Sequence, residues 1–393
     1  MRSPLLSRPV AAATVAAGAL VLAACGGHLG AATPRPAGAS AGTGRPPLHL
    51  DHFVPAVIGR IGDSTRVVVS GTTDCGRELC PTLLVGTPAA GAAWSFTRVA
   101  APPEPRPRLP GGGVGQVVFT DRADGFYLRP QGADGPAEVT TDGGRSWHQL
   151  RFGDHSSVFE VAGSAQLLAS VVATCSEGAR SEVCGHYRLE RSAPGSRSWT
   201  TTTIPDTKSL NGEPLGLAVS GRRVWVNVQP LASGSRPVTL SSVGDGRLHV
   251  VSSQLMGGSG CSLRAASTTV VWATCIGGML VDYFRSSDAG RRFAGYWSYP
   301  GTGGGGVDPV GANLAFRWTG VPSPGVPGDR LQVTSDGGRR WSPVGRLPTF
   351  SGAQMLRFVD ARRGLLLGTR SLDGPVVILS TDGGGRHWTP IRF

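Results

Sequence analysis

The chain is 393 residues long with a formal charge of +12, and Lys208 is its only lysine among many arginines. That excess is modest for the length; it admits anionic partners at the surface, and no nucleic-acid-binding motif accompanies it. Beyond the first 24 residues no stretch reaches the roughly 18 apolar residues of a membrane helix, so no second spanning segment is expected.

Arg2 and Arg8 precede an apolar run from Val10 to Ala24, which closes on Leu22-Ala23-Ala24-Cys25-Gly26. The run is about 15 residues, too short to span a bilayer, and the order of basic, apolar and small residues marks a secretory signal. It resembles the lipobox of bacterial lipoproteins. The resemblance implies removal of residues 1–24, diacylation of Cys25, and a lipid anchor on the outer, extracytoplasmic face of a cell membrane. Losing Arg2 and Arg8 would leave a charge of +10. Residues 25–49 are then the lipidated cysteine and a Gly/Ala/Pro linker with almost no large apolar side chain, which cannot build a core. As a flexible coil it would span roughly 25–30 Å.

From about residue 50 to 393 the pattern changes to short apolar runs, rich in β-branched and aromatic residues, cut by Gly, Pro, Asp and Ser. Thr65–Gly71, Gln116–Phe119, Arg222–Val228 and Val376–Ser380 are examples, and no helical period competes with them. The six cysteines of this region fall into close pairs: Cys75 with Cys80, Cys175 with Cys184, and Cys261 with Cys275. Export favours three short-loop disulfides. No second pair at ligand spacing suggests a metal, and no cofactor-binding motif is present.

A repeat decides among the all-β architectures. Thr140-Thr-Asp142-Gly-Gly144-Arg-Ser-Trp147 recurs as Ser286-Ser-Asp288-Ala-Gly290-Arg-Arg-Phe293, as Thr334-Ser-Asp336-Gly-Gly338-Arg-Arg-Trp341, and as Ser380-Thr-Asp382-Gly-Gly384-Gly-Arg-His-Trp388, the last one residue longer. Asp288 and Asp336 are 48 residues apart, Asp336 and Asp382 46. At that period degenerate copies appear at 87–94, 191–199 and 242–249, making seven units. A second element, Phe119-Thr-Asp121-Arg-Ala-Asp-Gly125 and Phe358-Val-Asp360-Ala-Arg-Arg-Gly364, falls about 20 residues before two of the repeats and reads as a tight hairpin. The expectation is an all-β, seven-bladed β-propeller of four-stranded antiparallel blades, closed by packing of blade one against blade seven.

The eight-residue pattern resembles the Asp-box (BNR repeat) of sialidases, sortilin-type receptors and the photosystem II assembly factor family. In that role Asp142, Asp288, Asp336 and Asp382 accept backbone N–H bonds across a turn, glycine supplies a positive φ, and Trp147, Phe293, Trp341 and Trp388 pack over the hairpin. They are structural residues, not catalytic carboxylates. The resemblance implies a non-enzymatic scaffold for a protein partner or complex, or else a glycan-binding protein or sialidase-like glycosidase. Against the enzyme, Pro107-Arg108-Leu109-Pro110 lacks the aromatic of the sialidase Phe/Tyr-Arg-Ile/Leu-Pro motif. Candidate ligand-binding residues lie on the expected inner strands: Arg264, Arg317 and Arg357 in blades five to seven, Glu160 in blade three and Gln116 in blade two. Converging arginines would grip an anionic ligand of a protein or glycan partner.

Overall fold

The computed structural model describes residues 50–393 apart from 51, 63, 75–78, 90–92, 103–115, 129–136, 154–155, 176–183, 205–211, 231–236, 244–245, 254, 256–260, 278–279, 301–304, 320–329, 347–351 and 370–373. Its strands form seven four-stranded antiparallel sheets, each made of four consecutive strands. The blades span residues 54–99, 116–150, 156–203, 212–252, 261–300, 305–346 and 352–390. In every blade the first strand contacts the first strand of the next, and that of blade 7 meets that of blade 1. The seven first strands therefore ring a central channel.

Strand alternation explains how this ring holds together. Successive side chains point to opposite faces of a sheet, and a propeller blade has a neighbour on both. In blade 4, Val224, Val226 and Val228 pack with blade 3, while the intervening Trp225 packs with blade 5. Blade 5 repeats the division: Val271 and Ala273 face blade 4 and Trp272 faces blade 6. The buried residues accordingly fall into seven clusters, one in each seam between adjacent blades. Each fully buried valine or leucine contributes roughly 1.5–3 kcal/mol.

The eight-residue repeats join the third strand of a blade to its fourth, and they share one hydrogen-bond scheme. In blade 2 the Thr140 hydroxyl donates to Asp142 (2.9 Å) and accepts from Gly144 N (2.8 Å), while Asp142 accepts from the backbone of Arg145 and Ser146. Blades 5 and 6 repeat the pattern around Asp288 and Asp336. Glycines 143 and 144, and 337 and 338, hold φ between +75° and +91°. The residue after the aspartate also donates its N–H to the hairpin between the first and second strands of its own blade: Gly143 to Ala123 O, Ala289 to Thr269 O, Gly337 to Asn313 O. The two hairpins thus sit bonded together at one end of blades 2, 5 and 6, and Gly384 N donates to Arg362 O in the same way in blade 7.

Blade 7 corrects the sequence register. There Thr381, not Ser380, plays the capping hydroxyl, accepting from Gly385 N at 2.9 Å, and Gly384 and Gly385 take the positive-φ positions. The apparent extra residue is a shift by one, so Gly383 occupies the aspartate position and Asp382 stands beside it. Backbone geometry is set by the glycine pair and the hydroxyl, which tolerate loss of the carboxylate.

The large apolar residue at the end of each hairpin enters the seam with the preceding blade, not merely its own hairpin. Trp94, Trp147, Trp199, Leu248, Phe293, Trp341 and Trp388 do this in blades 1 to 7 in turn. Trp94 therefore helps close the ring between blades 7 and 1. Phe393 adds to that closure, meeting Phe53 at 4.8 Å and Phe96 at 5.1 Å between ring centroids. Of the paired cysteines, Cys261 and Cys275 form a disulfide across the first two strands of blade 5. Cys175 and Cys184 stand opposite each other in register in blade 3. Cys80 is disulfide-bonded, and Cys75 lies outside the described residues.

The fifth repeat position must be glycine because it abuts the preceding blade. A Cβ on Gly385, at φ +92°, would lie 2.1 Å from Leu331 Cδ2 of blade 6, whereas one on Gly311 meets nothing within 4 Å. Gly385→Ala is expected to cost about 1–3 kcal/mol from the backbone alone, with the overlap adding to it, while Gly311→Ala is near neutral. Thermal and urea unfolding of the two variants measures the difference.

Candidate functional site: the arginine-lined channel

Four charged groups meet near the end of the channel toward which the first strands run. Arg357 is the penultimate residue of its inner strand, Gly352–Phe358, and Asp308 holds the same place in Gly305–Pro309 of blade 6. Arg357 Nη1 lies 3.6 Å from Asp308 Oδ1 and donates to Leu356 O at 2.8 Å. The other Asp308 oxygen accepts from Phe358 N at 2.5 Å, tying blade 6 to blade 7. Arg60, which ends the first strand of blade 1, donates to Pro309 O at 3.2 Å. Arg264, penultimate in Cys261–Ala265, is close enough to feel Asp308, Glu160 and Arg60 electrostatically.

Cations outnumber anions here. Burial pushes the Arg357 guanidinium down to about 9, helped by the like charge of Arg264 and opposed by Asp308. It remains protonated at neutral pH. Arg264 is also shifted down by burial, against the pull of Asp308 and Glu160. Glu160, across the channel in blade 3, is pushed up to about 7 by burial, although Leu217 N–H and Arg264 favour its anion. Near pH 7 three guanidinium groups are balanced by Asp308 and a carboxyl that is only partly ionised. An acidic group entering the channel would find unspent donors and uncompensated charge.

The sequence-based set divides against this geometry. Arg264, Arg357 and Glu160 are in the cluster. Gln116 opens its inner strand and is exposed, two residues short of that level, which Val118 occupies in blade 2. Arg317 is not in the channel. It lies on the second strand of blade 6, buried in the seam with blade 5, with its guanidinium 4.3 Å from the Trp341 ring and Nε donating to Gln332 at 2.8 Å. The true inner strand, Gly-Gly-Val-Asp-Pro, is glycine-rich and reads as a loop, which displaced the assignment to the next apolar run. A Cβ on Gly306 would lie 2.5 Å from the Trp318 ring, which is why glycine is there. Arg60 and Asp308 were missed; each stands just before a hairpin, Asp308 at the position Arg357 holds in the more legible blade 7 and Arg60 one residue further along.

Tyr127, Tyr187 and Tyr283 are buried in seams. No tyrosine among the described side chains accompanies the channel arginines. No group of three or more His, Cys, Asp or Glu among the described residues is arranged to hold a metal. Pro107–Pro110 lies outside the described residues.

No family model matches the chain, and no curated protein matches it in sequence. Solved structures do match in fold. The β-propeller domain of the Trilobed protease from Pyrococcus furiosus, described as having an open velcro topology, aligns with a TM-score of 0.54 at 9% identity over 86% of this chain and 97% of that one. Acylaminoacyl peptidase from Pyrococcus horikoshii gives 0.56 at 8% identity over 88% and 54%. Oligogalacturonate lyase from Vibrio parahaemolyticus gives 0.53 at 9% over 84% and 91%. The chain spans about half the length of that peptidase and of a matched prolyl endopeptidase, 54% and 49%. These likenesses show the fold alone: the protein is a seven-bladed β-propeller.

The Glu160 carboxyl makes the channel testable by pH. Its ordinary value is 4.5 and its folded value about 7, so between these the native state holds the extra proton. Stability from this group therefore falls as pH rises from about 4.5 to 7 and stays low above. Glu160→Gln should remove the slope. The difference in melting temperature, variant minus wild type, is expected to grow across that window, and parallel curves would refute the assignment.

Proposed function

We propose that the protein is a lipid-anchored, extracytoplasmic binding propeller that holds an acidic group of a protein partner in its channel. The observation that carries this reading is the approach of Arg357 and Arg264 to Asp308 and of Arg60 to the adjoining Pro309 O, with Glu160 part-neutral. Support for the anchor is the run Leu22-Ala23-Ala24-Cys25 and the linker that follows. The shared turn of blades 2, 5 and 6 supports placing the repeats among Asp-boxes. A glycosidase of sialidase type has less support, since the described tyrosine side chains point into seams.

Citrate, a compact polycarboxylate, serves as a probe. Titration calorimetry on the full chain should detect binding that the double substitution Arg264→Gln, Arg357→Gln weakens at least about tenfold, the scale of one lost charge-assisted contact. Equal binding by both proteins would remove the channel from consideration. Crosslinking in native membranes with the same pair then identifies the partner.

The anchor is tested separately. Cells fed an alkyne-tagged fatty acid should label the wild-type chain and not Cys25→Ala, and the variant should move from the membrane pellet to the soluble fraction. Retained label in the variant would rule out Cys25 as the acylated residue.

A further inference from the structure

The hairpin between the third and fourth strands of blade 7 keeps the form of its counterparts and lacks one of their groups. Thr381 and Trp388 are spaced as Thr334 and Trp341 are, and Gly384 and Gly385 hold φ of +67° and +92°, close to the +75° and +91° of Gly337 and Gly338. Gly383 therefore stands where blades 2, 5 and 6 carry Asp142, Asp288 and Asp336. In those blades the carboxylate takes three donors: the hydroxyl two residues earlier and the backbone N–H groups three and four residues later. In blade 7 the same donors are the Thr381 hydroxyl, Arg386 N and His387 N, and none of the three has an acceptor among the described residues. Thr381 is fully buried and accepts from Gly383 N at 3.2 Å and Gly385 N at 2.9 Å, which leaves its proton unspent. Asp382, the neighbouring acid, makes no such bond and lines a separate hollow toward blade 1, with Ala89, Asp360 and Arg363.

The open position adjoins a cavity. About 480 Å³ of space lies in the seam between blades 6 and 7, bounded by Leu314, Phe316, Val333 and Val344 of blade 6, and by Arg362 and the turn at Gly383, Gly384 and Arg386 of blade 7. That is the size of a small-molecule site, with one apolar wall and a few polar groups on the other. A Cβ built on Gly383 would have only Arg386 Cβ near it, at 3.9 Å, so the place an aspartate side chain fills elsewhere is open. Arg362 and Arg386, both exposed, add positive charge at its edge.

We infer that this cavity binds a free amphipathic monocarboxylate, of the size and kind of a medium-chain fatty acid. Its carboxylate takes the three donors that an aspartate takes in blades 2, 5 and 6, and its apolar chain lies against blade 6. The turn specifies the head group, because the same backbone already holds a carboxylate in three other blades. The blade 6 wall specifies the tail, since covering it removes apolar surface from water. None of the channel residues lines this cavity, and the inference does not rest on the channel reading.

The test is titration calorimetry on the full chain at neutral pH with octanoate, octanamide and acetate as probes. Octanoate is expected to bind at least about tenfold more tightly than octanamide, which lacks the charge, and than acetate, which lacks the tail. The decisive variant is Gly383→Asp, which supplies the carboxylate from the chain itself. Gly383 does not hold a positive φ, so the aspartate fits the backbone. This variant should melt at a higher temperature than wild type and bind octanoate at least about tenfold more weakly, with citrate binding unchanged. The channel pair Arg264→Gln, Arg357→Gln should keep octanoate binding. Equal octanoate affinity in Gly383→Asp and wild type, equal affinity for octanoate and octanamide, or no octanoate binding at all would overturn the proposal. A lower melting temperature for Gly383→Asp would also overturn it, since the three donors would then not face that position. Binding of a peptide through an aspartate side chain, without binding of octanoate, would assign the turn to a protein partner instead.

Discussion

The insertion of one apolar side chain per blade into the seam with the blade before it is the contact on which the ring depends. A single four-stranded blade has two apolar faces and no interior, so it gains stability only between neighbours. The hairpin aromatic enters that seam while the adjacent glycine lets the backbone approach. Gly290 and Gly338 lie against the tryptophans of blades 4 and 5, and Trp225 Nε1 donates to Ala289 O of the next turn at 2.9 Å. In blades 5 and 6 the junction thus combines packing with a turn closed by its own hydrogen bonds. Because every sheet uses consecutive strands, closure rests on the same contact as every other seam, with Trp94 in the wedge position and Phe393 added beside Phe53.

Charge is arranged by the same geometry. Inner strands that end just before a tight hairpin bring Arg264, Asp308 and Arg357 to their penultimate positions, and Arg60 ends the inner strand of blade 1. Asp308 is spent twice, on Arg357 and on Phe358 N, so it neither neutralises all three cations nor moves freely. Arg317 shows the alternative fate of a buried arginine: stacked on Trp341 and near Tyr283, and bonded to Gln332, it acts as a packing element of a seam. Chemistry of the side chain is identical in the two places; strand position alone separates them.

Much of the fold was legible because the repeat is local. Thr140 to Trp147 contains its own hydroxyl, aspartate, glycines and aromatic, and its period counted the blades before any strand was placed. Glu160, Arg264 and Arg357 were legible as inner-strand residues because blades 3, 5 and 7 carry clear apolar alternation. Arg60 and Asp308 were not, since Ile58-Gly-Arg60 and Gly-Gly-Val-Asp308 carry too little hydrophobic pattern to declare a strand. The register of blade 7 also escaped, because three consecutive glycines leave the turn's positive-φ pair undefined until Thr381 and Leu331 select it.

By itself the sequence determined what short segments can settle: strand alternation, and turns whose residues satisfy one another within eight positions. Tertiary structure alone decided which side chains share a space. The large apolar residue of each repeat turns toward the preceding blade, and the arginines of blades 1, 5 and 7 gather beside Asp308 and Pro309 of blade 6. These are contacts between residues tens to hundreds of positions apart, and their geometry comes from closing seven sheets into a ring, which no local pattern encodes.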